Sequence, residues 1–286
     1  LHEGHFDLVR EAARRVGPTG TVVVTIFVNP LQFAPTEDLD AYPRDLEGDL
    51  AGLARTLTGA DGTLGVGRLI VFAPTPEVIY PCGQPAVRID PGPIATVLEG
   101  RTRPTHFAGV CQVVLTLMHL TAPRWALFGR KDAQQLAIIE SMVRDLAVPL
   151  EIVPVDIRRE SDGLAMSSRN AYLSPEQRHQ ALALSRALQA GRDAAAQATG
   201  SQPDPVAIRQ AALASLEAAD GVEVDYVALV APESFEDLAG AGLGLPRSEP
   251  VGEDKEEGLP AVGLLAVAAR VGTTRLIDNT LIDLRP

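Results

Sequence analysis

The chain has 286 residues, of which 46% are apolar and 4% aromatic, and its formal net charge is −12 at pH 7. This apolar share argues against a disordered chain, and the length suffices for one large α/β domain and a smaller one. The negative charge argues against non-specific binding to nucleic acid or to anionic membranes, and the apolar runs are too short to span a bilayer.

Strand and helix patterns alternate through the first half of the chain. Four segments are predicted as helices: 6–16, 45–57, 110–120 and 133–145. Four short apolar runs are predicted as strands: 21–28, 69–72, 125–128 and 150–155. Strands that alternate with helices form right-handed βαβ units. The pattern therefore predicts a doubly wound, Rossmann-like parallel sheet with ligands at the carboxyl ends of its strands.

The pattern changes after about Arg159. Ser174, Pro175 and Gln177 have the spacing of a capping box with proline at the first helical position. Helices over 175–198 and 205–219 and strands over 222–230, 259–270 and 274–284 predict a smaller C-terminal α+β domain with an antiparallel sheet. We therefore predict domains at 1–159 and 160–286, with surface loops at 58–68 and 240–257.

Two histidines stand where the first predicted helix begins. His2 and His5 flank Gly4, and the amino end of a helix favours anions through its dipole and its N–H groups. Imidazole donors there suit a phosphate on which charge develops. A zinc site and plain surface histidines stay open as alternatives, although the pair lacks the i, i+4 spacing of a zincin motif.

Two further segments carry cations and hydroxyls at predicted strand or turn ends. Lys131 follows a predicted strand and can neutralise a phosphate, whereas the adjacent Asp132 can equally serve as a helix cap. The segment Met166–Arg169 offers hydroxyl donors and a guanidinium suited to a triphosphate. A polar turn without a binding role is its alternative.

The end of the predicted strand 21–28 offers a third kind of group. Gln32 can both donate and accept a hydrogen bond, as recognition of a hydroxy acid requires. Among the acidic residues that follow, one carboxylate can hold Mg²⁺. Cys82 and Cys111 form neither a disulfide framework nor a zinc pattern, so we predict reduced thiols in a cytoplasmic protein.

Six motifs follow one another along the chain: LHEGH, FVNPLQF, EDLDAYPRD, LEGRTRPTHFAGV, FGRKDAQQL and ESDGLAMSSRNAYLSPEQR. In this order and at these separations they resemble the bacterial pantothenate synthetase (pantoate–β-alanine ligase) family. VDYVAL and LLAVAARVGTTRLIDN extend the resemblance more loosely into the last third. It implies a HIGH-type nucleotidyltransferase fold and a homodimer.

The resemblance also implies a two-step reaction. Pantoate attacks the α-phosphate of ATP to give pantoyl-adenylate and pyrophosphate, and the amine of β-alanine then displaces AMP to give pantothenate. The implied catalytic residues are His5, which acts as the acid, His2 and Lys131. The implied ATP-binding residues are Leu1, His2, Glu3, Gly4, Gly129, Arg130, Lys131, Asp132, Arg158, Met166, Ser167, Ser168 and Arg169. Those of the pantoate and β-alanine pocket are Gln32, Gln135, Asn29, Tyr42, Arg103 and His106, with Asp49 near the Mg²⁺ that accompanies ATP.

The sequence departs from the family in two places that bear on activity. Family members normally have a strand and a Pro-Thr-Met-Gly-type turn before LHEGH, and without them we expect impaired folding and activity. Arg130 stands where an acidic residue is common. Two other functions stay open, namely nucleotidyl transfer to another acceptor and a non-catalytic fragment that binds nucleotide or only dimerises.

Overall fold

The computed structural model describes residues 1–32, 44–59, 62–198, 202–240, 242–245 and 259–286. Predicted pocket residue Tyr42 and most of the predicted loop 240–257 lie outside these ranges. The chain forms two compact units, one of Leu1–Arg130 with Ile138–Asp156 and the other of Lys131–Ala137 with Ile157–Pro286. The domains predicted from the sequence, 1–159 and 160–286, remain a prediction and are kept distinct from these two units.

The first unit contains parallel strands and the helices that connect them. Its strands are β1 (Thr21–Thr25), β2 (Arg68–Phe72), β3 (Trp125–Gly129) and β4 (Glu151–Val155). Its helices are α1 (Glu3–Val16), α2 (Leu46–Leu57), the one-turn α3 (Pro76–Ile79) and α4 (Glu99–Thr102), α5 (His106–Thr121), and all but the first turn of α6 (Ala133–Asp145). The predicted parallel α/β architecture is confirmed.

The parallel strands pair as two sheets. β1 pairs with β2, Thr21 opposite Arg68, and β3 pairs with β4, Trp125 opposite Glu151. Within the described ranges β1 and β3 do not pair, and a cavity of about 510 Å³ lined by both strands and by α1 and α5 lies between them. Two apolar clusters hold the helices to the sheets, one around Phe6 and Leu53 and the other around Val110 and Ile139.

The strand predicted over 21–28 is three residues too long. The ladder of β1 ends at Thr25, although the amide of Ile26 still donates to the carbonyl of Phe72. The chain then enters a 3₁₀ turn at Pro30–Gln32, since proline has no N–H for a ladder and fixes its φ angle. This early end places Gln32 in a turn beyond the strand.

The second unit packs two helices on an antiparallel sheet, as predicted. The helices are α7 (Pro175–Ala196) and α8 (Pro205–Glu217), and the strands β5 (Val222–Val230), β6 (Val262–Val271) and β7 (Thr274–Asp283) lie in the order β5-β6-β7. The capping box at Ser174 and Gln177 is confirmed. Leu184, Ile208 and Leu265 are fully buried between the two layers, and each contributes roughly 1.5–3 kcal/mol by its burial.

No helix in the described part of the chain is long and apolar enough to cross a membrane.

Candidate active site

His2 and His5 form a reciprocal cap at the amino end of α1. The amide of Gly4 donates to Nδ1 of His2, and the amide of His2 donates to Nδ1 of His5, each at 3.2 Å. The two ring centroids are 3.9 Å apart. Because a nitrogen that accepts a hydrogen bond carries no proton, the proton of each neutral ring resides on Nε2. Both rings can therefore offer Nε2–H donors to an anion near the positive end of the helix dipole.

The acidic neighbours of this pair are engaged in ion pairs. Glu3 accepts from Arg10, two turns along α1, at 2.8 Å, and its charge in the first turn complements the helix dipole. Asp49 on α2 accepts from the amino group of Leu1. Among the described residues no three His, Cys, Asp or Glu side chains are grouped to hold a metal ion. Asp49 therefore belongs to no such group in this part of the chain.

Arg103 and His106 both contact the backbone oxygen of Gln32. Nη2 of Arg103 donates to this oxygen at 3.3 Å, and Nδ1 of His106 lies at the same distance from it. Nη1 of Arg103 lies 3.2 Å from Nε2 of His106. A neutral His106 protonated on Nδ1 satisfies all three contacts, since Nδ1 then donates and Nε2 accepts. The structure thus brings together three residues of the predicted pantoate pocket.

Asn29 is buried behind the turn that carries Gln32. Its Nδ2 donates to the carbonyl of Gly109 at 3.0 Å, and its Oδ1 accepts from the amide of Leu31 at 3.2 Å and from the hydroxyl of Tyr80 at 2.9 Å. The side chain therefore ties the end of the β1 segment to α5 and to the segment after α3. Its proposed contact with substrate stays a prediction.

Sequence reasoning missed Tyr80 and Gly109. Burial raises the pKa of Tyr80 to about 12, which keeps the phenol a donor to Asn29. A Cβ on Gly109 would lie 2.3 Å from the carbonyl oxygen of Leu31, so only glycine lets α5 approach the Pro30–Gln32 turn this closely. The motif THFAGV carries this glycine, whereas nothing in the local sequence around Tyr80 marks it.

In the second unit, the Met166–Arg169 segment forms a fixed turn. The amide of Met166 donates to the carbonyl of Arg158 at 2.8 Å, and Oγ of Ser167 accepts from the amide of Arg169 at 3.3 Å. Ser167 and Met166 are half-buried, while Ser168 and Arg169 are exposed at the start of a 3₁₀ turn. The turn thus presents a hydroxyl and a guanidinium to solvent.

Asn170 anchors this turn from behind. Its Nδ2 donates to Oε1 of Glu160 at 2.7 Å and to the carbonyl of Ala165 at 3.0 Å. Glu160 in turn accepts from Arg178 at 2.7 Å. The hydrogen bond from Arg178, supported by the one from Asn170, lowers the pKa of Glu160 below its usual value. The carboxylate is therefore held ionised beneath the turn.

Lys131 belongs to the same unit as this turn. It lines a small cavity of about 10 Å³ together with Ser167 and Arg169. Its Nζ lies 3.9 Å from a carboxylate oxygen of Asp132, and its carbonyl accepts from Nδ2 of Asn279 at 2.8 Å. The structure thus brings together cations and hydroxyls from two of the predicted ATP-binding segments.

The other predicted site residues that lie close to Lys131 in the sequence, and Arg158, do not all belong to the same unit. Arg130 and Gly129 belong to the first unit, where Nε of Arg130 lies 3.2 Å from the exposed carboxylate of Asp156. Gln135 is half-buried in the first turn of α6, in the second unit, and Arg158 is exposed there. Their roles stay predictions.

Comparisons with known proteins agree over the whole chain. A family model described as pantoate-β-alanine ligase matches residues 1–281. The chain is 50% identical over 282 residues to the pantothenate synthetase of Nocardioides sp., covering 98% of this chain and 75% of that relative. A structure of pantothenate synthetase from Thermus thermophilus has 43% identity and a TM-score of 0.81, covering 100% of this chain and 90% of that one.

A structure of a pantoate–β-alanine ligase from Francisella tularensis, complexed with β,γ-ATP and β-alanine, is also similar. It has 29% identity and a TM-score of 0.66, covering 98% of this chain and 85% of that one. The family match spans nearly every residue, and the likeness to solved structures extends over both compact units. The chain belongs to the pantoate–β-alanine ligase family.

Proposed function

We propose that the chain condenses pantoate with β-alanine to give pantothenate, consuming ATP and releasing AMP and pyrophosphate through pantoyl-adenylate. The observation that carries this proposal is the match of residues 1–281 to the pantoate–β-alanine ligase family. The chain is accordingly an enzyme, a ligase that forms a carbon–nitrogen bond. The reaction has two chemical steps, and side chains described above are proposed to act in each.

In the first step the pantoate carboxylate attacks the α-phosphorus of ATP and pyrophosphate leaves. Negative charge builds on the phosphoryl oxygens and on the leaving group, so fixed donors and cations lower the barrier. His2 and His5 offer Nε2–H donors, since backbone amides at the start of α1 occupy both Nδ1 atoms. Lys131 adds a positive charge, and Ser168 and Arg169 add exposed donors suited to phosphate oxygens.

In the second step the amine of β-alanine attacks the acyl carbon of the adenylate. The amine loses its proton, the acyl–oxygen bond to AMP breaks, and an amide forms. No covalent bond to the enzyme is required, so Ser167 and Ser168 act as donors rather than nucleophiles. Gln32, held through its backbone by Arg103 and His106, is proposed to bind pantoate and to face β-alanine, with Gln135 as second pantoate ligand.

Mg²⁺ is proposed to accompany ATP, with Asp49 as the nearby carboxylate. Mg²⁺ in nucleotide sites is usually bound through one or two carboxylates together with phosphate oxygens, and a lone carboxylate fits that mode. When bound, the ion neutralises charge on the phosphates.

From the family resemblance we further propose that the chain is cytoplasmic and forms a homodimer. Sedimentation can test the dimer, whose expected mass is twice 30.3 kDa.

AMP release measured with ATP, Mg²⁺, pantoate and β-alanine, omitting each in turn, tests the reaction. We expect AMP only when both pantoate and β-alanine are present, and pyrophosphate but little free AMP when β-alanine alone is omitted. A folded chain that releases AMP with a different acceptor, or no AMP with this pair, would contradict the proposed function.

A further inference from the structure

Asp278 and Asn279 are the first two of three consecutive buried polar residues on the central part of β7. Asp278 is 3% exposed and Asn279 is 6% exposed, and both belong to the last motif of the chain, RLIDN. Successive side chains of a strand point to opposite faces of the sheet. The two residues therefore serve different neighbours, and a buried polar side chain is costly unless those neighbours satisfy it.

Asp278 holds the segment that leads into the Met166–Arg169 turn. Its Oδ2 accepts from Nη1 of Arg159 at 2.7 Å, and its Oδ1 accepts from Nη2 of the same guanidinium at 3.0 Å. Nη1 also donates to the carbonyl of Gly163 at 3.0 Å. Arg159 pairs with Ala165 in an isolated antiparallel bridge. A bidentate pair is both strong and directional, so it fixes the turn at its base.

Asn279 holds the other group of the same unit. Its Nδ2 donates to the carbonyl oxygen of Lys131 at 2.8 Å, across 148 residues of sequence. Its own backbone amide donates to Oδ1 of Asp278 at 2.8 Å. The side chains of these two neighbours in β7 thus bind the backbone of Lys131 and the guanidinium of Arg159. Strand β7 sets the spacing between Lys131 and the Met166–Arg169 turn.

We propose that Asn279 is a positioning residue for ATP binding, acting through the backbone of Lys131, with the Asp278–Arg159 pair as its counterpart for the turn. This inference rests on the proposed function, in which Lys131 and the turn bind the phosphates of ATP. A lysine Nζ sits at the end of a four-carbon side chain, so its position follows from where the backbone is held. Groups that are held before the ligand arrives bind it more tightly.

The test is the pair Asn279→Ala and Ile282→Val. Ile282 is 2% exposed on β7 and packs in the apolar core, so its shortening destabilises the same strand without touching Lys131. Loss of one hydrogen bond from a positioning group is expected to raise the KM for ATP about tenfold in Asn279→Ala. Ile282→Val is expected to lower the melting temperature but to leave the KM for ATP unchanged.

A second readout separates positioning from general damage. When pantoyl-adenylate is supplied ready-made with β-alanine, no triphosphate is bound, so Asn279→Ala is expected to react at the rate of the unaltered chain. An unchanged KM for ATP in Asn279→Ala, or an equal loss in both half-reactions, overturns the inference. If the alanine variant does not fold, Asn279→Asp keeps the size, removes the donor, and is judged by the same criteria.

Failure of the proposed function can be distinguished from failure of the positioning inference. If the unaltered chain releases no AMP with pantoate and β-alanine, the reaction is wrong, yet ATP affinity measured by calorimetry still compares the two variants. A weaker affinity in Asn279→Ala alone supports the positioning role without any turnover. Equal affinities in the two variants overturn it.

Discussion

His5 is the N3 residue of α1, and its Nδ1 accepts the amide of His2. Removing the ring deletes an Nε2–H donor for the phosphoryl group, together with half of the helix cap. We expect His5→Ala to lower the rate of pantoyl-adenylate formation by about two to four decades, since a lost donor and a lost general acid each cost factors of this order. The measurement is single-turnover adenylation with saturating ATP.

The matched control is His119→Ala. His119 is an exposed histidine near the end of α5 in the same unit, with Nδ1 2.8 Å from the carbonyl of Leu115. We expect this variant to keep the adenylation rate. Near-normal adenylation by His5→Ala, with its circular dichroism spectrum retained, would rule out the role assigned to His5.

Between elements, the contact of α5 with the Pro30–Gln32 turn depends on Gly109. A methyl group there would clash with the carbonyl of Leu31, so the turn and Gln32 would have to shift. We expect Gly109→Ala to raise the KM for pantoate more than about tenfold while the KM for ATP changes little. Such overpacking in a close contact commonly costs about 1–3 kcal/mol, and a displaced substrate ligand adds to the effect on KM.

The comparison is with Gly129→Ala, at the end of β3, where an added Cβ meets no atom within 4 Å. The melting temperature of Gly129→Ala is expected to equal that of the unaltered chain. This variant therefore measures the effect of replacing a glycine where the added Cβ meets no neighbouring atom. Equal melting temperatures and equal pantoate KM values for Gly109→Ala and the unaltered chain would contradict this prediction. They would show that the Pro30–Gln32 turn accommodates the methyl group without loss of stability or of pantoate binding.

Most elements could be predicted from sequence because their signals are local. The apolar segment 110–120 located α5 except for its first turn, and the capping residues at Ser174 and Gln177 located the start of α7. The hydrogen bonds of Tyr80 with Asn29 and of Asn279 with Lys131 span 51 and 148 residues. Hydrophobic periodicity along the sequence carries no information on contacts between such distant residues. The residues that support the candidate site could therefore be identified only from the structure.

At the scale of the whole molecule, Glu160 is one carboxylate through which we expect stability to depend on pH. Its pKa is lowered in the folded chain by Arg178, so its contribution to the free energy of unfolding is present above the unfolded pKa of about 4.3 and is lost as the pH falls through the folded pKa. Glu160→Gln keeps the shape and removes the charge. We expect this variant to be less stable at pH 7, and the difference to shrink as the pH falls below about 4.

Urea unfolding of both chains at pH 7 and at lower pH measures this difference. The control is Asp283→Asn. Asp283 pairs with Arg285, two residues further along the chain, and because both side chains are exposed to solvent this pair is expected to contribute little to stability. A Glu160→Gln deficit that stays constant with pH would show that the charge of Glu160 is not what stabilises the turn.

The chain passes between its two compact units three times, after Arg130, after Ala137 and after Asp156. No single cut therefore separates them, and a fragment expressed from Ile157 onward would lack the Lys131–Ala137 segment. The side-chain amide of Asn279 would then be left in the fragment without the carbonyl that it binds in the intact chain. Exchange of the second unit between relatives, by recombination or by engineering, thus requires two segments to travel together.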